Sequence, residues 1–415
     1  MVLVMPDATV SPTTDITPDH DGEAIRHGIA VCLSGGGYRA MLFHLGCLWR
    51  LAELRVLSLD SHVGRGHDGD ATSLGSLQRI SSVSGGSIVS AQLALAWDDL
   101  AHAAPVQQLD LFRTRVVEPI RKLAGLNIAA KNLNGALRLA LDVILPGSVN
   151  DHVARAYAKH LYGKATLKQV PATPRFIFNA ANLQSGSLWR FSNPYAADWR
   201  VGKMLSTEKV TLAKAVAASS AFPPFLAPAT FKFAESDYEP NSGGKGADNL
   251  HRPPFTTRPQ LVDGGVYDNL GIETAYKCYQ TVIVSNGGAP FAVEDKAPVN
   301  WVGLGARVID LIDNQVLSLR KRVLIGALSR GERNGAFWDI EQNVTVHGCP
   351  DPLPCPYEST QRLASVGTDL ARKEPRLQER LINWGYALAD ASLRAHLNPN
   401  WPRPAGFPYP DAGVG

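Results

Sequence analysis

Residues 27–40 read HGIAVCLSGGGYRA, an apolar run that passes directly into three glycines, a tyrosine and an arginine. The apolar stretch 27–33 predicts a buried strand, and apolar residues at helical spacing over 38–54 predict the helix after it. Gly35, Gly36 and Gly37 therefore lie between a strand and a helix. Backbone N–H groups at a helix N-terminus favour a bound negative charge, so this turn is a candidate anion or oxyanion site.

A second turn, Ser82-Val83-Ser84-Gly85-Gly86, follows a short strand predicted over 79–83 and opens a helix predicted over 87–97. It matches the G-x-S-x-G spacing of a nucleophile elbow, with serine in place of the first glycine. An elbow needs small residues on both sides of the serine because strand and helix approach closely there. This requirement selects Ser84 as the candidate nucleophile; an N-cap serine is the alternative explanation.

A third turn, Asp263-Gly264-Gly265, ends the strand predicted over 260–262. Ligands of open α/β sheets bind beyond the carboxyl ends of the strands, so Asp263 is a candidate base, although an Asp-Gly turn alone also explains the pattern. A phosphate loop is disfavoured because no Lys-Ser or Lys-Thr follows the first glycines, and the dinucleotide spacing G-x-G-x-x-G is absent. Together the three turns supply N–H donors, a hydroxyl and a carboxylate.

Predicted strands alternate with predicted helices along the chain, which favours a three-layer α/β/α fold with a mostly parallel central sheet. Further strands are expected at 176–179, with a hairpin partner at 188–192, and at 281–285. Residues 112–162 predict a helical insertion, of which 112–146 is expected to form a mobile cap over the site. Residues 300–397 predict C-terminal helices, including a long one over 302–328.

The folded domain is expected to span residues 25–397. Residues 1–24, rich in Pro, Asp and Thr, and the Pro-rich residues 398–415 predict flexible tails.

The chain has 415 residues, of which 45% are hydrophobic and 19% charged, with a net charge of +3. This is an ordinary globular composition, too weakly basic to indicate nucleic-acid binding.

No apolar run reaches about 18 residues, and residues 1–22 lack a signal-peptide pattern, so we expect a cytoplasmic protein. Neither a metal nor a cofactor is expected. The sequence leaves three roles open for Cys349 and Cys355: they are free loop thiols, they form a disulfide, or they bind a metal.

The three turns, with the block 218–223 (Ala-Ser-Ser-Ala-Phe-Pro), resemble the patatin-like phospholipase family, which is related to cytosolic phospholipases A2. The resemblance covers about residues 27–290. Two positions depart from the family pattern: Ala40 stands where the oxyanion motif usually ends in glycine, and Ser82 replaces the first glycine of the elbow.

The resemblance implies a Ser-Asp dyad in which Ser84 attacks an acyl ester and Asp263 accepts its proton. It also implies an oxyanion hole formed by the N–H groups of Gly36 and Gly37, assisted by Gly35 or Arg39. Gly85 and Gly86 would support the elbow.

A Ser-His-Asp triad using His347 or His396 is the less favoured mechanism, and His44 is a further candidate to line the site. The expected substrates are acyl esters of membrane lipids. The alternatives are a soluble carboxylesterase or thioesterase and a non-catalytic lipid-binding protein. Basic residues mixed with apolar ones over 112–138 and 315–334, densest at 320–322, are compatible with peripheral membrane contact or with a solvated helix face. The oligomeric state stays open.

Overall fold

A computed structural model describes residues 25–57, 74–128, 148–223 and 226–415. The predicted tail 1–24 and most of the predicted cap lie outside the described residues. The strands are β1 Arg26–Leu33, β2 Leu77–Val83, β3 Arg175–Asn182, β4 Leu188–Phe191, β5 Ala196–Asp198, β6 Gly202–Met204, β7 Ala229–Thr230, β8 Gln260–Asp263, β9 Tyr279–Asn286 and β10 Asn334–Asp339. The α-helices are α1 Gly37–Glu53, α2 Gly85–Ala101, α3 Pro105–Phe112, α4 Glu118–Ala124, α5 Ser148–Tyr157, α6 Leu212–Ser219, α7 Gly265–Asp268, α8 Glu273–Tyr276, α9 Trp301–Ser329, α10 Tyr357–Ala364 and α11 Pro375–His396.

The strands form one mixed sheet in the order β10-β9-β1-β2-β3-β4-β5-β6, with β8 paired to β3 and β7 paired to β8. The five strands from β10 to β3 are mutually parallel, and the remaining pairings are antiparallel. The predicted α/β fold is confirmed. The hairpin of β3 with β4 also forms where the sequence predicts it.

Alternate residues of β1 face two separate apolar layers, as the two-residue period of a strand requires. Ile29, Val31 and Leu33 belong to the larger core cluster, which includes side chains of α1, α2 and α11. Ala30 and Cys32 belong to a second cluster, which includes side chains of α8 and α9. The sheet is therefore covered on both faces, and the near-continuous apolar sequence of β1 follows from this double burial.

β2 and β8 share one edge of β3 and meet end to end. On the other edge, β4 pairs with residues from Phe178 to Ala181 of β3. Because β8 pairs with Ala180 and Ala181 too, it must lie on the edge that β2 occupies. β2 ends where Val83 pairs with Asn179, and β8, running the opposite way, ends where Asp263 pairs with the next residue, Ala180. The ends of the two strands are therefore brought together by consecutive residues of β3.

The prediction that 112–146 forms a mobile cap is wrong for residues 112–124, which pack into the larger core. A π-helical segment, Arg113–Val117, joins α3 to α4, and Val116, Ile120 and Leu123 are fully buried in the larger core. These residues contact α1, α2 and α11. The apolar side chains at helical spacing form a core-facing stripe, and Arg121 pairs with Glu379 at 2.6 Å instead of facing a membrane.

The sequence predicts only helices over 300–397, but the structure also contains a strand there. This strand, β10, extends the parallel sheet beyond β9. The predicted long helix is confirmed as α9. None of the helices in the described ranges combines the length and hydropathy needed to cross a bilayer.

The Pro-rich segment 398–415 is not a flexible tail, because it packs against α1, α4 and α11. The ring of Tyr409 contacts the ring of Trp49 at 5.9 Å, and the Arg121 guanidinium lies over it at 4.6 Å. Val414 is buried. Asn383 of α11, itself fully buried, donates to the carbonyls of Tyr409 and Gly413 at 2.7 and 2.8 Å and accepts from the Tyr409 N–H at 3.0 Å.

Asn383→Ala should lower the free energy of unfolding by about 2–3 kcal/mol, because three hydrogen bonds are lost and their backbone partners are left buried. Urea unfolding measures the change. Asn400→Ala, an exposed position in the same segment, is the control and should change stability by less than about 0.5 kcal/mol. Equal effects of the two variants would contradict a packed C-terminal segment.

Candidate active site

Ser84 lies at the junction of β2 and α2 in a strained backbone conformation, with φ 49° and ψ −117°. A non-glycine residue adopts such angles at a cost of about 1–3 kcal/mol, and the surrounding structure must impose them. The neighbouring glycines permit the close approach: a Cβ on Gly85 would meet the Gly37 carbonyl oxygen at 2.2 Å, and one on Gly86 would meet the Leu33 oxygen at 2.4 Å. The turn that contains Ser84 thus packs, backbone against backbone, on β1 and the glycine turn that follows it.

Asp263, at the end of β8, is 3% exposed and accepts a hydrogen bond from the Gly265 N–H at 2.7 Å. Burial raises the pKa of its carboxyl to about 7, and the Gly265 N–H and the Ser84 hydroxyl partly oppose this shift. The Ser84 side chain therefore lies close enough to act on the Asp263 carboxyl. A carboxyl with this pKa exchanges protons near neutral pH, whereas an ordinary aspartate stays ionised.

Ser219, at the end of α6, links both sides of this pair. Its hydroxyl accepts a hydrogen bond from the Ser84 N–H at 3.0 Å and donates one to the Asn179 carbonyl at 2.6 Å. Its own carbonyl accepts from the Gly264 N–H at 3.4 Å. The residue thus holds the strained elbow against β3 and contacts the turn that follows Asp263.

The glycine turn contributes two N–H groups to the site. Gly36 and Gly37 have φ values of 136° and 56°, which favour glycine, and both line the cavity described below. They lie at the start of α1, where N–H groups have no acceptor within the helix. Gly35 does not take the predicted role, because its N–H donates to the Asn269 carbonyl at 3.1 Å.

Arg39 is not placed as predicted from the sequence. Its guanidinium is buried and donates to the carbonyls of Ala364, Val366 and Gly287 at 2.5, 2.8 and 3.0 Å. The two terminal nitrogens of the guanidinium are therefore engaged with carbonyl groups. Arg39 instead fixes the loop after α10 against α1, and Thr368 and its two successors in this loop form part of the cavity wall.

The three histidines considered from the sequence, His44, His347 and His396, have other partners than the Ser84–Asp263 pair. His44 is fully buried between the Ser285 hydroxyl at 2.8 Å and the Ser34 carbonyl at 3.0 Å, and burial lowers its pKa to about 3, so the ring is neutral. His347 contacts His396 at 3.3 Å between ring nitrogens. No histidine is among the described residues that line the cavity.

A cavity of about 600 Å³ opens above Ser84 and Asp263. Gly36, Gly37 and Asn269 lie beside the pair, and Glu294, Arg307, Asp310, Asp313 and Asp369 add charged groups to the walls, between which apolar side chains provide much of the surface. The apolar lining residues are Phe222, Leu226, Ala289, Pro290, Phe291, Ala292, Leu317 and Leu370. The volume and lining are typical of a site for a small, largely apolar ligand.

Sequence reasoning missed three residues around the pair. Asn269 holds the glycine turn through its carbonyl, Ser219 holds the elbow, and Tyr157 is fully buried near Asp263, whose negative charge adds to the effect of burial in raising the tyrosine pKa. Ser219 belongs to the block 218–223 that supported the family resemblance. That block was therefore the only sequence signal for any of the three.

Cys349 and Cys355 are free and buried, so they form no disulfide. Within the ranges that the structure describes, no group of three or more His, Cys, Asp or Glu side chains is arranged to hold a metal ion.

A family model described as patatin-like phospholipase matches residues 31–276. The chain therefore belongs to the patatin-like phospholipase family, as the three turns predict.

Among solved structures, the chain is similar to human GIVD cytosolic phospholipase A2, with 12% identity and a TM-score of 0.47. It is also similar to the same human enzyme in complex with methyl gamma-linolenyl fluorophosphonate inhibitor and terbium chloride, with 12% identity and a TM-score of 0.45. Each alignment covers 89% of this chain but only 59% and 58% of the human chains. No curated protein matches the sequence.

Ser219→Ala should lower the free energy of unfolding by about 1–3 kcal/mol, because the Ser84 N–H and the Asn179 carbonyl lose their buried partner. Thermal or urea unfolding measures this. Ser90→Ala is a matched control: Ser90 is also fully buried, but its hydroxyl has no partner among the described residues, so its removal should cost nothing. A Ser219 variant as stable as the Ser90 variant would argue against the link.

Proposed function

We propose that this protein is a lipid acyl hydrolase that cleaves carboxylic esters with a Ser84–Asp263 dyad. The observation that carries the proposal is that Ser84 and Asp263 line the same cavity as Gly36 and Gly37, with the Ser84 hydroxyl near enough to the Asp263 carboxyl to lower its pKa. Membership of the patatin-like phospholipase family supports the same chemistry.

In the proposed first step, the Asp263 carboxylate accepts the hydroxyl proton as the Ser84 oxygen attacks the ester carbonyl. When the tetrahedral intermediate collapses, the Asp263 carboxylic acid returns the proton to the leaving alcohol. A water molecule then attacks the acyl-enzyme, again with Asp263 as base, and releases the fatty acid and the free serine. A pKa near neutral suits Asp263 to both proton transfers.

The N–H groups of Gly36 and Gly37 are the proposed oxyanion hole. They adjoin the elbow, because Gly85 contacts the Gly37 backbone, and they open the N-terminus of α1, whose dipole favours a negative charge. One such donor typically contributes about 3–4 kcal/mol to transition-state stabilisation. Gly35 and Arg39 are left out of this proposal because their N–H groups bind carbonyls.

Acyl chains are the proposed occupants of the apolar part of the cavity, where Phe222, Phe291 and Leu317 offer surface without hydrogen-bonding demands. Because such esters reside in membranes, we further propose that the protein works at a lipid surface. Of the two explanations that the sequence leaves open for the cluster at 320–322, the ion pairs of two of its residues favour a helix face over an electrostatic membrane anchor. Arg320 pairs with Glu273 at 2.8 Å, and Lys321 pairs with Asp339 at 2.5 Å.

Ser84→Ala and Asp263→Asn should each lower kcat for ester hydrolysis by about 10³-fold or more, since each removes a reacting group. Hydrolysis of long-chain phospholipids and of short soluble esters measures this, and a fluorophosphonate probe should label only enzymes that retain Ser84. His347→Ala is the control and should keep most of the activity. The dyad would be rejected if the histidine variant were inactive while Asp263→Asn remained active.

The value of kcat/KM should fall below about pH 7, approaching tenfold per pH unit, because the Asp263 base is then protonated. An aspartate with an ordinary pKa of about 4 would give a flat profile down to about pH 5. A soluble ester assayed between about pH 5 and pH 9 separates the two cases. A flat profile would contradict Asp263 as the titrating base.

A further inference from the structure

α9 exposes large apolar side chains along much of its length, from Trp301 to Val323, the reverse of a typical surface helix, which buries them. Trp301 is 85% exposed and Ile312 is 56% exposed. Exposed apolar residues recur three or four positions apart and so lie along one side of the helix. This α9 stripe consists of Trp301, Leu304, Val308, Leu311, Ile312, Leu319 and Val323.

The opposite side of α9 lines the cavity. The lining residues of this helix, which are also three or four positions apart, are Arg307, Asp310, Asp313, Asn314 and Leu317. At about 100° per residue, these positions lie roughly half a turn away from the stripe. The helix therefore presents polar groups to the site and apolar groups away from it. The stripe is thus the outer surface of one wall of the cavity.

The charges near the stripe do not suit an anionic partner. The Arg307 guanidinium lies over the Phe291 ring at 4.0 Å and 3.8 Å from a Glu294 oxygen. The Arg320 and Lys321 side chains are held by carboxylates, as described above. Asp310 and Asp313 add negative charge to the cavity side, and Arg322 is the exposed cation beside the C-terminal end of the stripe.

We propose that the α9 stripe docks on a lipid surface of zwitterionic or uncharged headgroups. This inference rests on the proposed function, since it brings the wall of the cavity into contact with the layer that holds the substrate. Burial of apolar side chains drives the contact, and an indole ring such as that of Trp301 suits the boundary between headgroups and acyl chains. Free basic residues would add attraction to an anionic surface, a contribution that the paired cations Arg320 and Lys321 largely lack.

The first test is co-sedimentation with phosphatidylcholine vesicles. A triple variant, Leu304→Ser, Val308→Ser and Ile312→Ser, should bind these vesicles about tenfold or more weakly than the wild type. Its matched control replaces three exposed apolar residues elsewhere, Val106, Leu183 and Val346, by serine and should bind normally. Added salt should not weaken wild-type binding, and phosphatidylglycerol should not strengthen it.

Trp301 is the only one of the eight tryptophans whose side chain is mostly exposed, so its fluorescence reports on the stripe. Vesicles of brominated phosphatidylcholine should quench wild-type emission and leave the emission of Trp301→Phe almost unchanged. Quenching of equal extent in both proteins would overturn the proposal.

Three other outcomes would also overturn it: vesicle binding unaffected by the triple variant, binding that requires anionic lipid, or a dimer in sedimentation equilibrium that the triple variant dissociates. The last result would assign the stripe to a second copy of the chain. Failure of the proposed function is distinguishable, because Ser84→Ala should bind vesicles like the wild type, and soluble-ester hydrolysis tests the dyad without any vesicle.

Discussion

The shared edge of β3 is the constraint on which the candidate site depends. β2 and β8 approach each other from opposite directions along this edge and stop at Asn179 and Ala180, which are adjacent in the strand. The hydrogen bonds of β2 and β8 with β3 thus bring Ser84, which follows β2, to the same level of the sheet as Asp263. The two residues come from distant parts of the sequence. The rigidity of a central strand, rather than a flexible loop, sets the separation of the two side chains.

The strain at Ser84 and the buried carboxyl of Asp263 are two unfavourable features that the surrounding structure must stabilise. Ser219 contributes to both sides, through its hydroxyl and through its carbonyl. The glycines around the elbow let backbones approach where any Cβ would collide. Arg39 holds the end of α10 and the loop after it with two hydrogen bonds, and donates a third to the Gly287 carbonyl after β9. The site is therefore supported by hydrogen bonds that converge from several elements.

Local patterns in the sequence predict β1, β2, β3, β4, β8 and β9, the main helices and the three turns, because each depends on neighbours in the chain. They miss β10 and the short strands β5, β6 and β7. They do not predict which N–H groups remain available, since the Gly35 N–H is bound by the Asn269 carbonyl and the Arg39 guanidinium by carbonyls of Ala364, Val366 and Gly287. The packing of 398–415 depends on Asn383, far from the prolines that suggested flexibility. Periodicity predicts α9 as amphipathic but cannot tell which of its faces meets the sheet. The sequence does not predict that β8 runs antiparallel to β3 either, because a short apolar run does not specify which strand it pairs with.

The end-to-end meeting of β2 and β8 also bears on how such a chain can diverge. Since the reacting groups are positioned by β3, loops within the connections from β2 to β3 and from β3 to β8 can lengthen or shorten without altering the distance between the two groups. Loop-closure entropy rises only slowly with length, so such insertions cost little stability. Entire subdomains could be acquired or lost on this side of the protein while the reaction centre stays the same. New substrate preferences could then evolve by changing the surroundings of an unaltered pair.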